Sequence, residues 1–108
     1  MEIAQYIYSI LKSQINIMWI WGFNNPRSLP NNEGIIFKVQ GFKHKGYVAV
    51  VYNVGKDLFD VILYNNQMTI KEKIEDVYFD ELVNVIDCAV EKVNDYENRV
   101  KQEYSYIF

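Results

Sequence analysis

Few side chains in this sequence could serve as an acid, base, nucleophile or metal ligand. His44 is the sole histidine and stands in Phe42-Lys43-His44-Lys45, between Gly41 and Gly46. A catalytic base needs an orienting partner and a cleft, so a histidine flanked by two lysines in a turn is expected to be solvated there. Cys88 is the only cysteine, and one His and one Cys far apart supply no recognised ligand spacing; no metal and no cofactor is expected. At 100° per residue Cys88 falls opposite the apolar stripe Leu82, Ile86, Ala89 and Val93 and should be exposed. Lys92 is the one cation within a turn of it, which gives little to lower its thiol pKa. Carboxylates pair at Asp57/Asp60, Glu75/Asp76 and Asp80/Glu81, but acid–base chemistry needs one member raised by an apolar pocket, and turn, cap and edge roles account for all six. Glycines stand singly at 22, 34, 41, 46 and 55, and none forms a phosphate-cradling GxGxxG or P-loop pattern. A catalytic residue is therefore not expected, and a small-ligand enzyme ranks third among the functions considered.

Two groups of residues suit binding better. Lys38, Lys43, Lys45, Tyr47, Tyr64 and Lys71 are expected on or around one sheet face, and aromatic rings among lysines can stack and hold a single-stranded nucleic acid. Tyr96, Val100, Tyr104, Tyr106 and Phe108 crowd apolar groups into the end of the chain, where a protein partner or a second copy could cover them.

The chain has 108 residues, half of them hydrophobic and 16% aromatic, which is one domain with enough apolar surface to exclude overall disorder. Net charge is −3, divided between +3 for residues 1–74 and −6 for residues 75–108. That balance argues against a surface devoted to neutralising phosphates. A single cysteine rules out an internal disulfide and fits a reducing compartment. Glu2 and Lys12 do not suit a secretory leader, and the longest apolar run, Ile17 to Phe23, is far below the ~20 residues of a membrane span. A cytoplasmic protein without membrane contact is expected.

These residues must be held by a small set of elements. Ile3, Ile7, Ile10 and Leu11 have helical spacing over residues 2–14. Trp19, Trp21 and Phe23 alternate within 17–23, which reads as a first strand. Residues 24–34 (NNPRSLPNNEG) read as a loop because Pro and Asn favour turns, and a ligand cleft beside it is left open. Residues 35–74 read as four antiparallel strands, their register set by keeping apolar residues on one face. That register pairs Val39 with Val48 and Phe37 with Val50; across the next two hairpins it pairs Tyr47 with Tyr64, Val50 with Val61, Leu63 with Met68, Val61 with Ile70 and Asp60 with Lys71. A two-residue turn at Asn65-Asn66 closes the last hairpin. Phe79, Leu82, Ile86, Ala89, Val93, Tyr96 and Val100 then step by three and four, a final helix over 79–103 capped by Asp76 or Asp80.

The expected fold is α+β: a five-stranded antiparallel meander with an N-terminal and a long C-terminal helix on one face, in the order α-β-β-β-β-β-α, all within one domain spanning 1–108. A helix of that length would run about 37 Å at 1.5 Å per residue, against about 23 Å for the strands, so its end and the tail 104–108 would overhang the sheet.

The runs WIWGF (19–23), VQGFKHKGY (39–47) and YFDELVNVID (78–87) resemble those of small single-domain bacterial proteins of unknown function, of the accessory and mobile-element kind. The resemblance implies a bacterial cytoplasmic protein and carries no catalytic residues. The leading expectation is a non-enzymatic interaction or accessory module that self-associates through Tyr96, Val100 and the aromatic tail. The alternative is a nucleic-acid-associated accessory protein using the Lys/Tyr face.

Overall fold

The computed structural model describes residues 2–91, and residues 92–108 lie outside it. Its order is α1 (Ile3–Lys12), α2 (Ile15–Ile20), β1 (Asn24–Ser28), β2 (Gly34–Gln40), β3 (Lys45–Asn53), β4 (Leu58–Tyr64), β5 (Ile70–Val77) and α3 (Leu82–Val90), with single 3-10 turns at Pro30–Asn32 and Phe79–Glu81. The strands form one antiparallel sheet in chain order. This is the expected α+β meander between an N-terminal and a C-terminal helix. Both helices lie on one sheet face: Ile3, Ile7 and Leu11 of α1 and Leu82, Ile86 and Val90 of α3 share a buried core with Phe37, Val39, Val48, Val50, Val61 and Leu63. The free N–H of Ile3 at the start of α1 is satisfied by the side-chain oxygen of Asn32, 2.8 Å away.

The first strand is not where alternation placed it. Residues 15–20 form a short helix, because Met18 and Trp21, three apart, turn inward together with Ile17. Gly22, at φ 68°, ends it in the left-handed conformation that suits glycine, with its N–H on the Trp19 carbonyl. The fully buried Trp21 donates its indole N–H to Asp87 of α3 at 3.0 Å. Strand β1 is instead recruited from the Asn/Pro segment. It is an edge strand, where the missing N–H of Pro26 need cost no ladder bond, and Asn25 at φ 51° absorbs the irregularity between Asn24 and Arg27.

Pairing of β3 with β4 has the expected register: Tyr47 faces Tyr64, Val50 faces Val61 and Tyr52 faces Phe59. The two flanking hairpins differ. Gly41 donates to the His44 carbonyl and closes a tighter turn, so Phe37 faces Val48 and Ile35 faces Val50, two residues from the expected pairing. An even shift keeps every side chain on its face. At the β4–β5 turn the Asn65 side chain accepts the N–H groups of Gln67 and Thr69, and Met68 takes φ 62°, which lengthens the turn beyond two residues. Tyr64 therefore faces Ile70, Leu63 faces Glu72 and Val61 faces Ile74. Ile74, not Ile70, packs on the core, and Ile70 is exposed. Asp60 accepts the N–H of Asp76 instead of facing Lys71.

The last helix also begins differently. Asp76 belongs to β5, no side chain among the described residues caps α3, and Phe79 is exposed in the turn preceding it. Among the described residues α3 ends at Val90; the proposed continuation to 103 and the residues Tyr96, Val100, Tyr104, Tyr106 and Phe108 fall outside them.

Candidate functional site

The turn between β2 and β3 docks on the end of α3. The Val90 carbonyl accepts N–H groups from Lys43 and His44 at 2.9 and 3.2 Å, the Glu91 carboxylate accepts the Phe42 N–H at 3.1 Å, and the Lys43 ammonium reaches the Cys88 carbonyl. Unpaired carbonyls and the negative pole of a helix end are thus met by donors and a cation. Gly41 makes the close approach possible, since a Cβ there would lie 2.3 Å from the Val90 carbonyl oxygen.

His44 is consequently buried, at 1% exposure, contrary to its expected solvated place. Its Nε2 lies 3.1 Å from the Tyr47 carbonyl, while its buried Nδ1 has no hydrogen-bond partner among the described residues. Burial lowers its pKa, Lys71 pushes the same way, and the carbonyls of Tyr47 and Tyr64 and the charge of Glu72 oppose. Glu91 is buried too, and burial raises its pKa against the pull of the Phe42 N–H.

Docking of this turn divides the lysine and tyrosine candidates. Lys38, Lys45, Tyr47 and Tyr64 share the open sheet face, with Lys38 Nζ 5.9 Å from the centre of the Tyr47 ring and Tyr47 opposite Tyr64. Lys43 and Lys71 do not join them: the first reaches α3, and the second, carried across by the irregularity at Leu63/Tyr64, puts Nζ 3.3 Å from the Lys43 carbonyl. The next row of that face is apolar in its middle, Ile36–Ala49–Ile62, with Arg27 and Lys73 at its two ends. Arg27 and Lys73 had no signal before the register was known, since both depend on irregular edge strands.

A second surface was not anticipated. Helix α2 has one polar residue, Asn16, in six, and its outer side presents Ile15, Trp19 at 63% exposure and Ile20 at 53%. A helix apolar all round is normally enclosed. The signal available was the pair Ile15/Trp19 at i,i+4 just before a helix-stopping glycine, hidden by the alternating tryptophans. Phe42, 58% exposed, belongs to the same end of the molecule, because Gln40 donates to the Trp21 carbonyl at 2.7 Å and Trp21 bonds α3, on whose terminus Phe42 sits.

The carboxylate pairs have local roles. Asp57 accepts from the Tyr52 hydroxyl, Asp76 pairs with Lys56 at 3.1 Å, and Glu75 pairs with Lys73 at 3.5 Å, while Asp80 and Glu81 occupy the turn before α3. Cys88 is exposed as expected. No group of three His, Cys, Asp or Glu that could hold a metal comes together among the described residues, and no described helix is long and apolar enough to cross a membrane. No family model, curated protein or solved structure matches the chain.

Proposed function

We propose that the chain is a non-enzymatic protein–protein interaction module that associates with a second copy of itself through the outer side of α2 and Phe42. The exposure of Trp19 on a helix with no polar face carries the proposal. Tryptophan is among the residues most enriched at the energetic centre of protein contacts, and a patch at one end of the molecule suits the self-complementary contact of a twofold pair. Tyr96, Val100, Tyr104, Tyr106 and Phe108, outside the described residues, remain candidates for self-association on their sequence alone. A bacterial cytoplasm is proposed as its setting, supported by the single exposed cysteine and the resemblance of its sequence runs. Light scattering at micromolar concentration tests the association. The intact chain is expected to be dimeric and Trp19→Ser monomeric; a monomeric intact chain, or a dimer indifferent to Trp19→Ser, overturns the proposal.

The stack of Lys38 on Tyr47, aligned with Tyr64 on a sheet face that none of the described helices covers, favours a second reading as a single-strand nucleic-acid binder. Binding should then weaken steeply with salt, and Tyr47→Ala or Tyr64→Ala should each lose about 1–3 kcal/mol. Absence of binding at low salt removes it.

A further inference from the structure

Between the C-terminal half of α1 and the start of α3 lies a groove of about 420 Å³, within the range of roughly 300–1,000 Å³ typical of small-molecule sites. Ile10 and the buried Val83 give it apolar walls, and Phe79, 60% exposed, stands at its α3 end. The direction of the α3 flank is fixed by a separate contact. Asp80, Val83, Asn84 and Asp87 recur at steps of three and four and so share one flank of the turn and helix, and Asp87 at its far end accepts the indole N–H of Trp21 at 3.0 Å. That bond turns the flank toward the corner between α1 and α2, where Ser13 and Gln14 lie. Asp80 therefore stands over the groove, exposed and with no hydrogen-bond or ion-pair partner among the described residues.

The polar atoms around this groove accept more than they donate. The hydroxyls of Ser9 and Ser13 give their hydrogens to the carbonyls of Tyr6 and Ile10, each at 2.6 Å, so what they offer a ligand is lone pairs. Asp80 is the one charged residue lining the groove among those described. The cation of α1, Lys12, keeps its Nζ 5.8 Å from the centre of the Tyr8 ring, and Tyr8, two residues before Ile10, is on the opposite side of the helix. At the α3 end, Asp80 and Glu81 offset the positive pole of the turn. A ligand complementary to all of these is a primary ammonium on an apolar body: its N–H donors meet the Asp80 carboxylate and the serine oxygens, while the body covers Ile10, Val83 and Phe79. A carboxylate would meet like charge and lone pairs, and an ammonium without a body would leave the apolar walls in water.

We propose that the α1–α3 groove is a binding site for a small organic ammonium with an apolar body. The site does not rest on self-association. Phenethylamine, methylamine and phenylacetate, titrated at neutral pH into isotope-labelled intact protein and followed by amide chemical shifts, separate the contributions. Phenethylamine at millimolar concentration is expected to move the amides of Ser13, Gln14, Asp80 and Asn84 in a saturable way, and to bind at least several-fold more tightly than the other two. Asp80→Asn changes an exposed side chain that caps no helix and is expected to weaken phenethylamine about three- to fivefold. Glu81→Gln removes the neighbouring charge, which does not line the groove, and is expected to change that affinity by less than about twofold. The proposal is overturned if phenethylamine leaves those amides unmoved, if methylamine or phenylacetate binds equally well, or if Asp80→Asn has no more effect than Glu81→Gln.

Discussion

His44 lies in a buried place, with one nitrogen bonded and the other without a partner among the described residues. Its lowered pKa means that the unfolded chain binds the proton more readily, so stability falls as pH drops below the ordinary value of 6.5 and levels off below the folded value. Glu91 acts with the opposite sign: its raised pKa favours the folded state near and below the ordinary 4.5, and that contribution is lost as pH rises through the folded value. Urea unfolding measured at a series of pH values should show the loss of stability below pH 6.5 in the natural chain and a flatter profile in His44→Leu. Gly41 sets the same junction. Gly41→Ala would press a methyl onto the Val90 carbonyl, 2.3 Å away, with the Val90 side chain at 2.5 Å and the Glu91 carboxylate at 2.9 Å, and is expected to cost about 2–3 kcal/mol in the urea midpoint analysis.

At the scale of elements, turns decided what periodicity alone left open. Met68 is a long side chain held at φ 62° in the β4–β5 turn, 49% exposed. Met68→Gly should therefore relieve backbone strain and stabilise the protein by about 0.5–1 kcal/mol, seen as a higher melting temperature. Gly22 is the converse case. It sits at φ 68°, and an added Cβ would come within 3.3 Å of Gln40, so Gly22→Ala should destabilise by about 1–2 kcal/mol. That substitution also probes the end of α2, the segment that carries Trp19 into solvent.

The whole molecule separates the two sources of self-association. Among the described residues the core cluster runs from Ile3 to Val90, and a chain ended after Asn94 is expected to keep a cooperative thermal transition by circular dichroism. If α2 supplies the contact, that shortened chain remains dimeric in light scattering and Trp19→Ser does not. If Tyr96, Val100, Tyr104, Tyr106 and Phe108 supply it instead, the shortened chain is monomeric while Trp19→Ser still pairs. Both chains are expected to retain the sheet, which makes the comparison one of contact surface and not of folding.

Patterns of period two and three to four were sufficient for the α+β order, the inward face of the sheet and the Tyr47–Tyr64 pairing, because burial of one face is a local demand that each strand or helix states in its own residues. Positions that rest on partners distant in the chain were not legible. Residues 17–23 alternate like a strand, yet the bond from Trp21 to Asp87 and the left-handed Gly22 accompany a helix there. An Asn/Pro segment became β1 because the exposed edge of β2 offered a ladder that needs few donors. Lysines 43 and 71, which composition groups with Lys38 and Lys45, are separated by the docking of one turn onto a helix end and by one irregularity in a strand. His44 follows the same logic: its neighbours in sequence are charged and solvated, and only the arrival of α3 above the turn encloses it. Local sequence determined which residues seek a core, whereas tertiary packing decided which polar groups were carried in with them, because hydrogen bonds across elements can outweigh the preference of a single residue for water.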